Sequence, residues 1–368
     1  MRTLVVSDLH LGGRTGVDVL RHHAVREPLL AEAARADRLV LLGDTLELRH
    51  GPAREALANA RPVLEALADA LAPGAQVVLV PGNHDHALLA PWLEERQAPI
   101  GLAAEVRPQR ASPLARTVAG WLGRERTTVA YPGFWVREDI YATHGHYLDP
   151  HGTVPTFERL AAGVMQRLSG PVPEGDCRPE DYERVLAPLY AWVHASAQRA
   201  ELGRLGPGAS RAGKAYALLG GDGHRPIGAR VLLAVFPLGI RGINLLGIGP
   251  LSSDLSGAAL RRSALLGVGE VVARLGIEAE HLIFGHSHRA GPLPDDDVTE
   301  WRTAGGVWLH NSGNWVHEPA FTSGDGAGVG GPYAPGSAVV VEDVGPPRVV
   351  RLLEGVSLPE PDRAPGPA

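Results

Sequence analysis

Five apolar runs of strand length constrain this chain more than anything else in it, because each ends on a short polar peptide rich in aspartate and histidine. Leu4-Val5-Val6 leads to Asp8-Leu9-His10, Leu39-Val40-Leu41-Leu42 to Gly43-Asp44, and Val77-Val78-Leu79-Val80 to Gly82-Asn83-His84-Asp85. Ile140-Tyr141-Ala142 leads to His144-Gly145-His146, and Leu282-Ile283-Phe284 to Gly285-His286-Ser287-His288. Such runs read as strands buried on both faces. Loops at the C-terminal ends of strands in an α/β fold converge on one edge, where ligands bind.

Together the loops offer carboxylate oxygen, amide oxygen and imidazole nitrogen, and no thiolate. That donor set suits Mn, Fe, Zn or Co better than Ca or Mg, which favour shells of oxygen alone. Asp8 and His10 lie two apart, so in an extended strand end their side chains leave on the same side and can grip one ion. Gly43 lets the backbone turn sharply before Asp44, whose carboxylate can bridge a pair of ions. Asn83 offers its carbonyl, and His144, His286 and His288 offer imidazoles.

The order DxH, GD, GNHD, HGH, GHSH resembles the calcineurin-like metallophosphoesterase superfamily over roughly residues 1–150 and 280–352. The resemblance implies an α/β (α+β) fold: a four-layer αββα sandwich of two mixed sheets, with a large, mainly helical insertion. It leaves a core at 1–150 and 280–353 and a cap at 151–279, and the Pro-rich, polar end reads as a disordered tail at 354–368. It also implies a pair of divalent ions, Mn first, with Fe, Zn or Co as alternatives. Asp8, His10, Asp44 and His288 would hold one, and Asp44, Asn83, His144 and His286 the other. His84 would be the catalytic imidazole beside them, oriented by Asp85.

Two ions about 3.5–4 Å apart can share a water, lower its pKa and clamp phosphoryl oxygens for in-line displacement. The expected reaction is therefore hydrolysis of a phosphate ester or pyrophosphate by a hydroxide bridging the metals. His84, off the metals, would protonate the departing oxygen or stabilise the equatorial ones. His146 lies in a loop from which it can reach substrate phosphate. His22, His23, His50, His86, His151 and His224 match no motif and are expected at the surface or in loops.

Ser7 to Gly12, Gly43-Asp44-Thr45-Leu46-Glu47, the HGH loop, Gly285 to Arg289 and Asn311-Ser312-Gly313-Asn314-Trp315 are similar to the UDP-2,3-diacylglucosamine pyrophosphatase branch. That likeness implies a small phosphorylated or nucleotide-linked substrate, lipid-linked in that branch and met at a membrane surface. The chain departs from the branch in having His84 where an arginine is usual and in its longer insertion. The rival from another class is a non-catalytic scaffold of the same fold, against which every ligand position is filled. Within the insertion, residues 231–251 are apolar apart from Arg241 and Asn244. They read as a buried cap core, as a lid receiving a lipid tail or resting on the membrane as a peripheral contact, or as a poor candidate span, interrupted by Pro237 and four glycines.

With 368 residues, 44% of them hydrophobic, the chain can bury a large core and carry an insertion. A net charge of −6 argues against a broad nucleic-acid surface. Arg107, Arg110, Arg116, Arg124 and Arg126 read as a solvated face or part of the substrate cap; a basic groove formed by them would be the best support for a third class, a nuclease-like phosphodiesterase, which the acidity disfavours. A single cysteine, Cys177, rules out an intramolecular disulfide framework, and the start at Met1 runs straight into the first strand. Both lead to an expected cytoplasmic location. Lys214 is the only lysine among abundant Arg, Ala, Gly and Pro, the composition of a GC-rich bacterial genome.

Periodicity predicts helices at 28–38, 53–71, 91–96, 156–168, 179–200 and 263–275. Thr127 to Thr143 reads as short strands broken by a turn at Tyr131-Pro132-Gly133. A last strand at 306–310 brings Asn311 to Trp315 back to the site, followed by a hairpin of 337–343 with 348–353. Gly324 to Gly331 reads as a flexible loop.

Overall fold

The computed structural model describes residues 1–199, 239–317, 331–356 and 358. Strands β1 (Thr3–Val6), β2 (Arg38–Leu42) and β3 (Gln76–Val80) run parallel side by side, and the long strand β5 (Thr127–Arg137) continues them. Strand β4 (Ala103–Val106) lies antiparallel on β5. Beyond β5 come β6 (Ile140–Thr143), β7 (His281–Phe284) and β8 (Trp308–Asn311). On the other side of β1 lies an antiparallel hairpin of β9 (Ser337–Val341) and β10 (Arg348–Arg351). The result is a large mixed sheet with helices packed on it, consistent with a metallophosphoesterase fold.

Strand β5 is shared. Its Thr127–Val129 stretch pairs with Val77–Leu79, whereas Gly133 to Arg137 pair with Ile140 to Thr143. The expected turn at Tyr131-Pro132-Gly133 is therefore absent, and one extended segment runs through it. At Gly133 the strand lies so close to Tyr141 and the Ala142 carbonyl that a Cβ there would overlap both, so the glycine serves close approach rather than a turn.

Side chains alternate across a strand, and the sequence uses both faces. Leu4 and Val6 pack with Leu29 of α1 (His23–Ala33), Leu64 of α2 (Ala53–Ala70) and Val118 of α5 (Pro113–Leu122). From the opposite face, Val5, Val40, Leu42, Val78 and Val80 meet Ala130, Phe134, Val136, Ile140, Ala142 and Ile283. The remaining face of β6 to β8 carries Tyr141, Leu282, Phe284 and Leu309, packed against Leu265, Val268 and Val272 of α8 (Gly257–Leu275). Truncating a fully buried leucine such as Leu64 to alanine would cost about 2–5 kcal/mol.

The short helices α3 (Ala90–Glu95) and α4 (Pro108–Ala111) lie between β3 and α5. Helices α6 (Phe157–Ser169) and α7 (Pro179–Arg199) follow β6 and match their expected spans to within a residue or so. Thr156 caps α6 by accepting from the Arg159 N–H, and Ser112 caps α5 by accepting from the Ala115 N–H. Tyr182, Val185, Leu186 and Tyr190 of α7 join the same apolar cluster as β1 and α2, so this helix shares the core rather than forming one of its own.

Helix α1 starts five residues before its expected position at 28, and Arg38 belongs to β2. Helices α4 and α5 were not predicted, because prolines and arginines obscure the apolar face of Ala115, Val118, Ala119 and Leu122. Arg126 uses its guanidinium to donate to the Leu122 and Ala68 carbonyls, closing the ends of α5 and α2. Of the apolar segment 231–251, residues 231–238 lie outside the described part. Residues 239–245 are helical, with Ile240 and Leu251 buried and Leu245 and Leu246 exposed. Among the described residues, no helix is long and apolar enough to cross a membrane. His224, most of the 324–331 loop and most of the expected tail also lie outside the described residues.

Candidate metal centre

All five polar loops meet at the C-terminal ends of β1, β2, β3, β6 and β7, laced together by their own backbone and carboxylates. The Asp8 N–H donates to the Gly43 carbonyl at 3.1 Å, and the His10 N–H to the Asp44 carbonyl at 2.8 Å. Carboxylates complete the lacing: Asp44 Oδ1 accepts from the His84 N–H at 2.8 Å and Asp8 Oδ2 from the His286 N–H at 3.0 Å. A Cβ at Gly43 would overlap the His144 ring, and one at Gly82 would overlap Asp44 Oδ1. Glycine is what lets these loops approach so closely.

Among the described residues, the non-glycine positions with left-handed backbone are Asp8, His10, Asp44, His286 and His288, with φ between 44° and 64°. Each such residue costs about 1–3 kcal/mol unless its surroundings hold it, and such strain clusters at functional sites. All five belong to the ligand set expected from the sequence.

Their donor atoms converge. His288 Nε2 lies 3.3 Å from Asp8 Oδ1 and 3.1 Å from His10 Nε2, which is itself 3.7 Å from Asp44 Oδ2. His144 Nε2 lies 3.3 Å from the same Asp44 oxygen. The Asn83 side-chain oxygen sits 3.2 Å from Asp44 Oδ2, His144 Nε2 and His286 Nδ1. Three groups have ligand atoms within 4.8 Å of one another: Asp8-His10-His288, His10-Asp44-His84 and Asp44-His144-His286. Asp44 is common to the last two, a position from which one carboxylate can serve two ions.

Two observations fit cations to these groups. Asp8 Oδ1 is buried without a hydrogen-bond partner among the described residues, an expensive state for a carboxylate oxygen. Asn83 can turn either way: with NH2 inward it donates to Asp44 and the imidazoles, and with oxygen inward it joins them as a further ligand. The outward nitrogens are already held, as metal-binding imidazoles require. His10 Nδ1 pairs with Glu47 at 3.2 Å, His144 Nδ1 with the Leu42 carbonyl at 3.0 Å and His286 Nε2 with Asp149 at 2.8 Å.

Glu47 and Asp149 are thus residues the sequence reading did not assign. Glu47 also corrects an expectation about His84. The carboxylate beside the His84 ring is Glu47, 2.7 Å from Nδ1, not Asp85. Asp85 instead accepts backbone N–H groups from Gly82, Thr45 and Leu46, tying the second and third loops together. Chain direction explains the difference: Asp85 turns back beneath its own loop, while Glu47 approaches from the loop after β2. His84 Nε2 remains 3.9 Å from Asp44 Oδ2.

Electrostatics follow from burial and crowding. Burial alone would raise the Glu47 pKa, but the charges of His84 and His50 and hydrogen bonds from His10 and His84 hold it well below the ordinary range. Burial also opposes charge on His10 and His144, yet surrounding carboxylates push them up to about 9 and about 10. At His84 burial dominates, bringing it down to about 4 despite Glu47 and Asp44. Burial and the neighbouring Asp44 charge push Asp85 up to about 6.

Beside the centre lies a second polar group. Glu183 of α7 accepts from Tyr131 and, at 2.6 Å, from Tyr147, and pairs with His86 at 2.9 Å. His86 is therefore buried, not a surface residue. His146 is buried with Nε2 3.2 Å from the Tyr131 hydroxyl and Nδ1 without a partner among the described residues. His151 pairs with the Tyr182 hydroxyl at 2.9 Å and His50 lies 3.5 Å from Glu47, whereas His23 is exposed.

Residues 1–176 match the family model of the calcineurin-like phosphoesterases. The match covers a little under half of the chain, including the first four motif loops, and it supports the superfamily to which the motifs pointed. The match supports a metal-dependent phosphohydrolase, and the matched family generally uses two divalent metals. No curated protein matches the chain. One solved structure to which it is similar is a cold-active protein-tyrosine phosphatase of the psychrophile Shewanella sp., at 14% identity over 93% of this chain and 75% of that one. Its TM-score of 0.27 is too low for that likeness to carry an argument.

Proposed function

We propose that this phosphoesterase hydrolyses a phosphate ester or pyrophosphate at a two-ion centre. One ion would be held by Asp8, His10, Asp44 and His288, the other by Asp44, Asn83, His144 and His286. The observation that carries the reading is the left-handed backbone at Asp8, His10, Asp44, His286 and His288. Strain confined to residues whose donor atoms converge is hard to explain by folding alone.

When bound, divalent ions supply Lewis-acid polarisation of the phosphoryl group and an attacking water acidic enough to react near neutral pH. The chain's own residues do the rest. Glu47 accepts from His84 Nδ1 and so fixes the ring with Nε2, the lone-pair nitrogen of a neutral imidazole, on the Asp44 side, where it can accept a proton or a hydrogen bond at the phosphoryl site. Asp149 and the Leu42 carbonyl fix His286 and His144. Asp85 keeps the second and third loops in register.

Finer parts of this reading have their own support. A four-layer αββα arrangement is supported by the three apolar clusters, helix to sheet, sheet face to sheet face, and sheet to α8. Mixed oxygen and imidazole donors favour Mn, Fe, Zn or Co over Mg or Ca. A cytoplasmic location is supported by the single cysteine. A nucleotide-lipid pyrophosphate is the narrower substrate suggested by motif likeness.

The test is metal-stripped protein, reloaded with Mn and assayed on p-nitrophenyl phosphate, bis-p-nitrophenyl phosphate and a UDP-sugar, with metal content by elemental analysis. Metal-dependent turnover on at least one arm is expected, and Asp44→Ala should lose bound metal and turnover together. A reloaded protein that binds no ions, or cleaves nothing on the panel, would overturn the reading.

A further inference from the structure

Arg49 lies two residues beyond Glu47, and its backbone N–H donates to Glu47 Oε1 at 2.8 Å. Its guanidinium Nη1 is 2.9 Å from the outer end of the Asn83 amide. With the Asn83 oxygen inward, the orientation in which it can serve a cation, that outer end is the NH2, and two donors face each other. Neither can satisfy the other, and an anionic oxygen is the partner that takes both.

Tyr190 approaches from α7. It is buried, with its ring 5.3 Å from that of His86 and 5.8 Å from that of His146, and its hydroxyl has no partner among the described residues. Glu183, seven residues earlier and so on the same helix face, anchors it by gripping Tyr131, Tyr147 and His86. Asp149, Glu183, Arg49 and Asp44 are the charged groups it feels. Burial and the carboxylates among them hold the phenol far above its ordinary range, so it keeps its proton and can donate.

We propose that Arg49 and Tyr190 clamp the anionic oxygens of the substrate's phosphoryl group, so that α7 completes the active site. This rests on the phosphoesterase reading and adds to it a substrate-binding wall built partly from the segment between the HGH and GHSH loops. It also ties metal to substrate: holding a cation through the Asn83 oxygen turns Arg49 from an amide partner into a phosphate partner.

The experiment uses the full chain loaded with Mn, as wild type, Tyr190→Phe, Arg49→Lys and Arg49→Gln. KM for p-nitrophenyl phosphate and the inhibition constant of inorganic phosphate should each rise by about tenfold in Tyr190→Phe and Arg49→Gln, the scale of one lost charge-assisted hydrogen bond. Metal content and melting temperature should stay at wild-type values, with Arg49→Lys retaining part of the phosphate affinity. Phosphate binding by calorimetry provides the same comparison without turnover. Wild-type turnover with both constants within about twofold in Tyr190→Phe and Arg49→Gln would overturn the clamp alone. Failure of the wild type itself to hydrolyse any ester would instead overturn the parent reading.

Discussion

Glu47 Oε2 lies 2.7 Å from His84 Nδ1 and 3.2 Å from His10 Nδ1, so one carboxylate orients the candidate catalytic imidazole and a candidate ligand together. Removing its charge should disturb chemistry and metal affinity at once. For Glu47→Gln we expect kcat and metal affinity each to fall by about 10–100-fold, the usual cost of losing a partner behind a metal ligand. Kinetics on Mn-titrated protein checks this; an unchanged metal affinity would confine Glu47 to orienting His84.

Backbone strain at His288 gives a second prediction. Its φ is 58° and its side chain is the most exposed of the strained set. Replacing it with glycine relieves about 1–2 kcal/mol of left-handed strain against about 0.5–1 kcal/mol of added chain entropy. Metal-stripped His288→Gly should therefore be as stable as wild type or slightly more so, while losing the stabilisation that Mn gives the wild type. Urea melts with and without Mn separate the two effects; a metal-free variant markedly weaker than wild type would show that His288 holds the fold.

Gly43 makes the opposite case. Its φ is 84°, and a side chain would strike the His144 ring. Gly43→Ala should cost about 1–3 kcal/mol from the strained backbone and reduce metal content by displacing His144. Elemental analysis of the purified variant gives the second quantity directly, and full occupancy would mean that the loop has room to yield.

Acid sensitivity should arise at Glu183. Burial would raise its pKa from the ordinary 4.5, but the His86 charge and hydrogen bonds from His86, Tyr131 and Tyr147 bring it lower. A carboxyl depressed by folding contributes stability that is present above the unfolded value and lost as pH falls through the folded one. Glu183→Gln should thus melt below wild type at pH 7, with the gap narrowing as the pH drops beneath about 4.5. Melting curves from pH 3 to 7 test the slope, and a gap independent of pH would mean that only packing was lost.

The convergence of the candidate centre was legible because its signal is local: each candidate ligand sits within a few residues of an apolar strand, and the joint order of the loops carries the information. The supporting residues were not, for physical reasons. Glu47 stands in a quoted motif, yet nothing in one sequence says that its side chain crosses to His10 and His84. Asp149 and Glu183 act through contacts with residues 137 and 97 positions away. Nothing in the sequence sets Tyr190 apart within its helix; what distinguishes it is a buried hydroxyl without a partner among the described residues. The turn assigned to Tyr131-Pro132-Gly133 failed because proline and glycine also suit a strand that must pass close to its neighbour.

Since β5 takes part in both halves of the sheet, Asp8, Asp44 and Asn83 come from one half and His144, His286 and His288 from the other. Neither half would supply either of the two proposed ligand sets in full. Under the proposed ligand sets, tight metal capture would come late in folding, after the two halves have closed on each other, so that bound ions would report completed assembly.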